Sequence, residues 1–98
     1  MPANFFVIGL PSSFTSGQLQ RVLTAESDHL RTAEMLPDSL ITGVGYVDMD
    51  NAESRRRVVR KFYLMEHVFG LRLLICENGS ASFHFLFQRW QQQHAAAA

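Results

Sequence analysis

The sequence predicts a single α+β domain whose elements follow the order strand, helix, strand, strand, helix, strand, with a third helix at the C-terminus. Three observations predict it. Short apolar runs bounded by turn residues alternate with stretches of helical periodicity. The chain has 98 residues, the size of one ordinary domain. An apolar fraction of 47% that includes eight Phe and one Trp is enough to fill a core.

Each element has its own signal. Residues 4–10, Asn-Phe-Phe-Val-Ile-Gly-Leu, form an apolar run closed by Pro11 and two serines, which predicts a buried first strand. Thr15-Ser-Gly-Gln18 has the form of a capping box, and Phe14 and Leu19 are placed as a hydrophobic staple. Leu19, Val22 and Leu23 share one face of the helix this predicts over about residues 16–25. Residues 29–36 show a blurred alternation, and a strand is assigned there because the overall pattern requires one. Pro37-Asp38-Ser39 is a turn signal.

Residues 41–49 alternate with period two. Gly43, Gly45, Val47 and Met49 point to one face, and Thr42, Val44, Tyr46 and Asp48 to the other. After Asp50-Asn51, residues 52–67 read as a helix with Val58, Val59, Phe62 and Met65 toward the core. Arg55, Arg56, Arg57, Arg60 and Lys61 crowd its first half. Gly70 ends it, and residues 71–76 read as the fourth strand. Asn78-Gly79 is a turn. Beyond it Phe83, Leu86, Phe87, Trp90 and His94 keep helical spacing, which predicts a third helix from about residue 82. Residues 1–78 are thus expected to form the domain proper and 79–98 an amphipathic helical extension. The Gln91–Gln93 run beside Ala95–Ala98 has the composition of low-complexity sequence.

Charge and chemistry narrow the function classes. Nine basic residues balance nine acidic ones, so the chain lacks the basic excess of proteins that hold nucleic acid mainly through phosphates. Binding through base stacking is compatible with this balance. Cys76 is the only cysteine, which allows no internal disulfide and fits a reducing compartment, so a nuclear or cytoplasmic location is expected. No apolar stretch has the length of a membrane span or the form of a signal peptide. His29, His67, His84 and His94 are widely spaced and Cys76 has no CxxC partner, so no metal is expected. Nucleophile-elbow, phosphate-loop and dinucleotide signatures are absent. The expectation is a non-enzymatic protein without a cofactor.

The element order is the split-βαβ layout, which many unrelated functions share. Two motifs are more specific. Phe5-Phe-Val-Ile-Gly-Leu-Pro11 resembles the second ribonucleoprotein motif of RNA recognition motifs, and Thr42-Gly-Val-Gly-Tyr-Val-Asp-Met49 resembles the first. The resemblance covers roughly residues 4–77. It implies a ferredoxin-like βαββαβ sandwich, a four-stranded antiparallel sheet with two helices on one face, followed by the third helix. The sequence departs from the pattern at Thr42, where a basic residue is usual, at Val44, where a stacking aromatic is usual, and at Met49, where an aromatic core residue is usual.

The resemblance further implies that Phe6 and Tyr46 lie side by side on the open sheet face and stack on bases of single-stranded RNA, with Ile8, Thr42, Val44 and Leu74 around them. The losses at Thr42 and Val44, and Asp48 on the same face, imply weak affinity. So apolar a face requires a cover. Bases, a protein partner and the chain's own third helix all qualify. The stripe of Phe83, Leu86, Phe87 and Trp90 either covers the sheet or forms a partner or homodimer surface. The basic cluster from Arg55 to Lys61 is a solvated helix face or a patch for an acidic partner. Two functions follow as expectations: modest binding of single-stranded RNA through the sheet, or protein–protein interaction and self-association on the same fold.

Overall fold

The structure, a computed structural model, describes residues 3–37 and 41–97. Asp38 and Ser39 of the expected turn lie outside these residues, as does Ala98. The opening apolar run forms strand β1, Asn4–Ile8. It stops two residues before the expected end because Gly9 turns to φ +103°, and the N–H groups of Gly9 and Leu10 both donate to the Gly43 carbonyl at 3.1 and 3.0 Å. Helix α1, Ser16–Val22, starts at the expected capping box. Thr15 Oγ1 accepts from the Gln18 N–H at 3.1 Å, and the Thr15 N–H donates to Gln18 Oε1 at 2.8 Å.

α1 is shorter than its pattern predicts. The Thr24 hydroxyl donates to the Arg21 carbonyl at 2.8 Å, and the Leu23 N–H donates three residues back to Gln20 at 3.1 Å. These bonds tighten the chain into a 3-10 segment, Thr24–His29, ahead of strand β2, Leu30–Met35. Strand β3 is Val44–Met49. Helix α2, Ala52–Phe69, has Asn51 as its N-cap, accepting from Ser54 N–H at 2.7 Å, and ends at Gly70 with φ +66°.

Strand β4, Leu74–Glu77, begins three residues later than expected. The N–H groups of Leu71 and Leu73 donate to the carbonyl and the carboxylate of Glu66, at 3.1 and 2.7 Å, instead of entering the sheet. Helix α3, Ala81–Ala97, follows, with Ser80 Oγ accepting from the Phe83 N–H at 3.1 Å.

The four strands form one antiparallel sheet in the order β2-β3-β1-β4. The fold is thus α+β with a four-stranded antiparallel sheet and three main helices. Alternation assigns each strand's residues to two faces. Phe5, Val7, Val47 and Met49 pack with Leu19 of α1, Leu23 just after it, and Val58 and Phe62 of α2. Phe6, Val44, Tyr46 and Cys76 pack with Phe83, Leu86 and Trp90 of α3. The sheet is therefore the middle of three layers. Gly45 belongs to the first face, where the Leu19, Val7 and Leu10 side chains close over it.

Two predictions follow from local geometry. Gly70→Ala and Gly43→Ala both force a side chain to positive φ, at a cost of about 1–2 kcal/mol each. The added methyl at Gly70 meets open space, whereas at Gly43 it collides with the Leu10 carbonyl. Urea denaturation should therefore find Gly43→Ala clearly the more destabilising, and equal losses would contradict the Gly43 turn.

The second concerns Glu26, which accepts from Arg57 and thereby ties the 3-10 segment to α2. The Arg57 hydrogen bonds, aided by its charge and by Ser54, hold the Glu26 carboxyl below its ordinary range against some desolvation. A depressed folded value stabilises above the unfolded carboxyl's titration, near pH ~4.3, and that stabilisation is lost as pH falls through the folded value. Glu26→Gln should narrow the difference in urea midpoint between pH 7 and pH 3.

Candidate functional site

The register of the sheet builds a row across all four strands. Cys76 pairs with Phe6, Phe6 with Tyr46, and Tyr46 with Glu34. Phe6 and Tyr46 are the two side chains expected as a stacking platform, and their ring centroids lie 4.8 Å apart. The alternation of β3 places Val44 on the same face, as its pattern predicts.

α3 lies over this row. The Phe83 ring sits 5.3 Å from Phe6, the Trp90 ring 4.7 Å and the Phe87 ring 5.9 Å from Tyr46. Phe83 and Phe87 stack on each other at 5.4 Å. Further along, His94 Nε2 stands 3.4 Å from Glu34 Oε2 on β2. The helix thus crosses the strands from β4 to β2. As a result Phe6 and Val44 are 0% exposed and Tyr46 is 5% exposed.

Polar contacts fix the cover at both ends. Ser80, the cap of α3, also donates its hydroxyl to the Glu77 carbonyl at 2.9 Å. Asn78 Nδ2 donates to Asn4 Oδ1 at 2.8 Å, and Asn4 Nδ2 donates to the Tyr46 hydroxyl at 3.0 Å. Burial pushes the Tyr46 phenol above its ordinary range. The Asn4 bond opposes that shift and Asp48 adds to it, so the ring stays neutral. At the far end His94 Nδ1 donates to the Trp90 carbonyl at 2.9 Å while its ring lies against the indole.

Other expected site residues are placed differently. Ile8 is partly buried against the same cluster, as is Phe87. Thr42 is exposed and precedes β3, because the chain turns at Gly43 with φ +71° and the pleat begins only at Val44. Leu74 shares the α3 face, opposite Ile8, but is 59% exposed, and Cys76 is the β4 residue beneath α3. Burial pushes the Cys76 thiol up, with Ser82 partly offsetting it, and the side chain packs in the cluster beneath α3.

The basic cluster of α2 divides. Arg55 pairs with Glu77 of β4, and Arg57 with Glu26 and Glu53. Arg56, Arg60 and Lys61 are exposed and carry no ion pair among the described residues. None of these side chains faces the row beneath α3. Among the described residues, no group of three or more His, Cys, Asp or Glu side chains is placed to hold a metal ion, and no helix is long and apolar enough to cross a membrane.

Sequence reasoning missed the clasps that hold α3. Ser80 three residues before Phe83 is a legible cap signal. The Glu34–His94 and Asn4–Tyr46 contacts join distant segments and leave no local trace.

Phe83→Ala should cost about 3–5 kcal/mol, as for a buried aromatic truncated in a core. The urea midpoint followed by the emission of Trp90, the sole tryptophan, checks it. A cost below about 1 kcal/mol would mean that α3 is not integral to the fold. In comparisons with known proteins, no protein-family model and no curated protein matches this chain, so the reading of its site rests on the residues themselves.

Proposed function

We propose that this chain is a non-catalytic protein-interaction module built on a ferredoxin-like βαββαβ sandwich of the RNA recognition motif type, with its own third helix covering the sheet face. One observation carries this reading. Phe6 and Tyr46, the side chains that would stack on bases, are packed under Phe83, Phe87 and Trp90. A base reaches neither ring unless α3 leaves.

The remaining surface supports the same reading. Tyr63, Leu64, Val68 and Phe69 on α2, Leu74 on β4 and Phe85 on α3 are each more than half exposed. Of these, Tyr63 and Leu74 line one groove, and apolar side chains grouped on a surface are a mark of protein contact. The zero net charge gives the chain no overall attraction to a phosphate backbone. The compartment that suits a lone buried thiol is the nucleus or cytoplasm.

The test is an amide-shift titration of the full chain by NMR with a random pool of short single-stranded RNA at low salt. The expected result is no saturable shift at Phe6, Val44 or Tyr46. Saturable, strongly salt-dependent shifts there would overturn the proposal and restore the sheet as an RNA-binding face.

A further inference from the structure

The two edges of the sheet are finished differently. Strand β2 forms one edge and β4 the other. An edge strand presents unpaired N–H and C=O groups along its outer side, and proteins usually guard them. β2 is guarded in three ways. Gln20 of α1 donates to the Ala33 carbonyl at 3.0 Å, and Ser16 accepts from the Met35 N–H at 2.8 Å. Its register slips between Leu30 and Thr32, and it carries Arg31 and Glu34. On β4, by contrast, the one side chain bonded to backbone is Ser80, at the terminal Glu77 carbonyl, among the bonds of the described residues. In the sheet ladder Leu74, Ile75 and Cys76 pair only with β1.

The ground beside β4 is shaped for a strand. A groove runs along the edge, with Tyr63 of α2 on one wall and Ser80 and Ser82 at the start of α3 on the other. At the Glu77 end it continues between Val59, Arg56 and Arg60. Tyr63 and Leu74 are 53% and 59% exposed, so the groove offers apolar contact on both sides of the strand plane. Arg56 and Arg60 stand four residues apart on one helix, like charges with no ion pair among the described residues. Such a pair is unfavourable in the free chain, and an incoming carboxylate relieves it.

We infer that β4 is the docking edge for an extended peptide of a partner protein. The peptide adds as a fifth, antiparallel strand, apolar at alternate positions and acidic at its N-terminal end. The inference rests on the protein-interaction reading and adds the partner's chemistry to it. Main-chain bonds to β4 supply affinity, and alternate side chains entering the Tyr63 and Leu74 walls supply selectivity. Antiparallel pairing brings the peptide's N-terminus to the Glu77 end, where Arg56 and Arg60 stand. That end already holds Glu77 paired with Arg55, and an incoming carboxylate offsets part of the positive charge that Arg56 and Arg60 leave there.

The probe is an amidated Glu-Glu-Val-Thr-Val-Thr peptide, with Lys-Lys-Val-Thr-Val-Thr as its counterpart, added to the full chain. Amide shifts and hydrogen exchange are the readouts. Expected are saturable shifts and slowed exchange confined to residues 74–77 and their α2 neighbours. Arg56→Glu/Arg60→Glu changes only exposed side chains. It should weaken the acidic peptide by about tenfold and reverse the preference between the two peptides.

The absence of saturable shifts at β4 up to millimolar peptide would overturn the inference, as would equal binding of both peptides. Shifts at Arg56 and Arg60 from short RNA, without shifts at β4, would also overturn it by making the patch a phosphate site. So would concentration-dependent β4 shifts in the chain alone, which would give the edge to a second copy. Failure of the peptide with no RNA shift at Phe6 and Tyr46 removes this docking edge and leaves the interaction reading standing.

Discussion

The structure depends on one constraint: β1 is apolar on both sides. Phe5 and Val7 point to one face and Phe6 to the other, and all three are fully buried. α1 and α2 cover only the first face. Without a second cover the Phe6–Tyr46 pair, with Val44 beside it, would face water, at a cost of about 1.5–3 kcal/mol for each large side chain. α3 supplies that cover. Its rings therefore belong to a core, and the three-layer arrangement follows from the composition of a single strand.

The dependence runs the other way as well. Most helical stability in proteins comes from tertiary packing of an apolar face. α3 carries its apolar stripe on Phe83, Leu86 and Trp90, all buried against the sheet. Its outer side is largely Gln and other polar residues, with Phe85 exposed near Arg89. Docking and helix formation are thus one event.

Much of this was legible in the sequence. Capping residues located the start of α1 and the period-two pattern located the faces of β3, because both signals are local. Element ends were less legible where side chains redirected the backbone. Glu66 withholds Leu71 and Leu73 from β4, and Thr24 tightens the end of α1. The phase of β4 was hidden for another reason. Leu71 to Cys76 is apolar almost throughout, so alternation does not tell Leu74 from Cys76. Only pairing with β1 decides that Cys76 is covered. The stripe on α3 announced a helix with an apolar face, but periodicity names no partner surface. The Glu34–His94 contact at the end of the row needed the three-dimensional register.

The two readings of the sheet face can be compared on one scale, the cost of truncating a ring to alanine. A base stacked on an aromatic side chain is worth about 1–3 kcal/mol on that scale, so stacking on Phe6 and Tyr46 contributes about 2–6 kcal/mol. A buried Phe or Trp is worth about 3–5 kcal/mol, so Phe83 and Trp90 contribute about 6–10 kcal/mol from within the same chain. Val44 on the same face offers no ring to stack on, and Asp48 on the same strand repels phosphate. RNA therefore competes for the face against a tethered occupant that is both stronger and always present. A protein ligand at the sheet edge avoids that competition, because an added strand on β4 leaves the α3 layer in place.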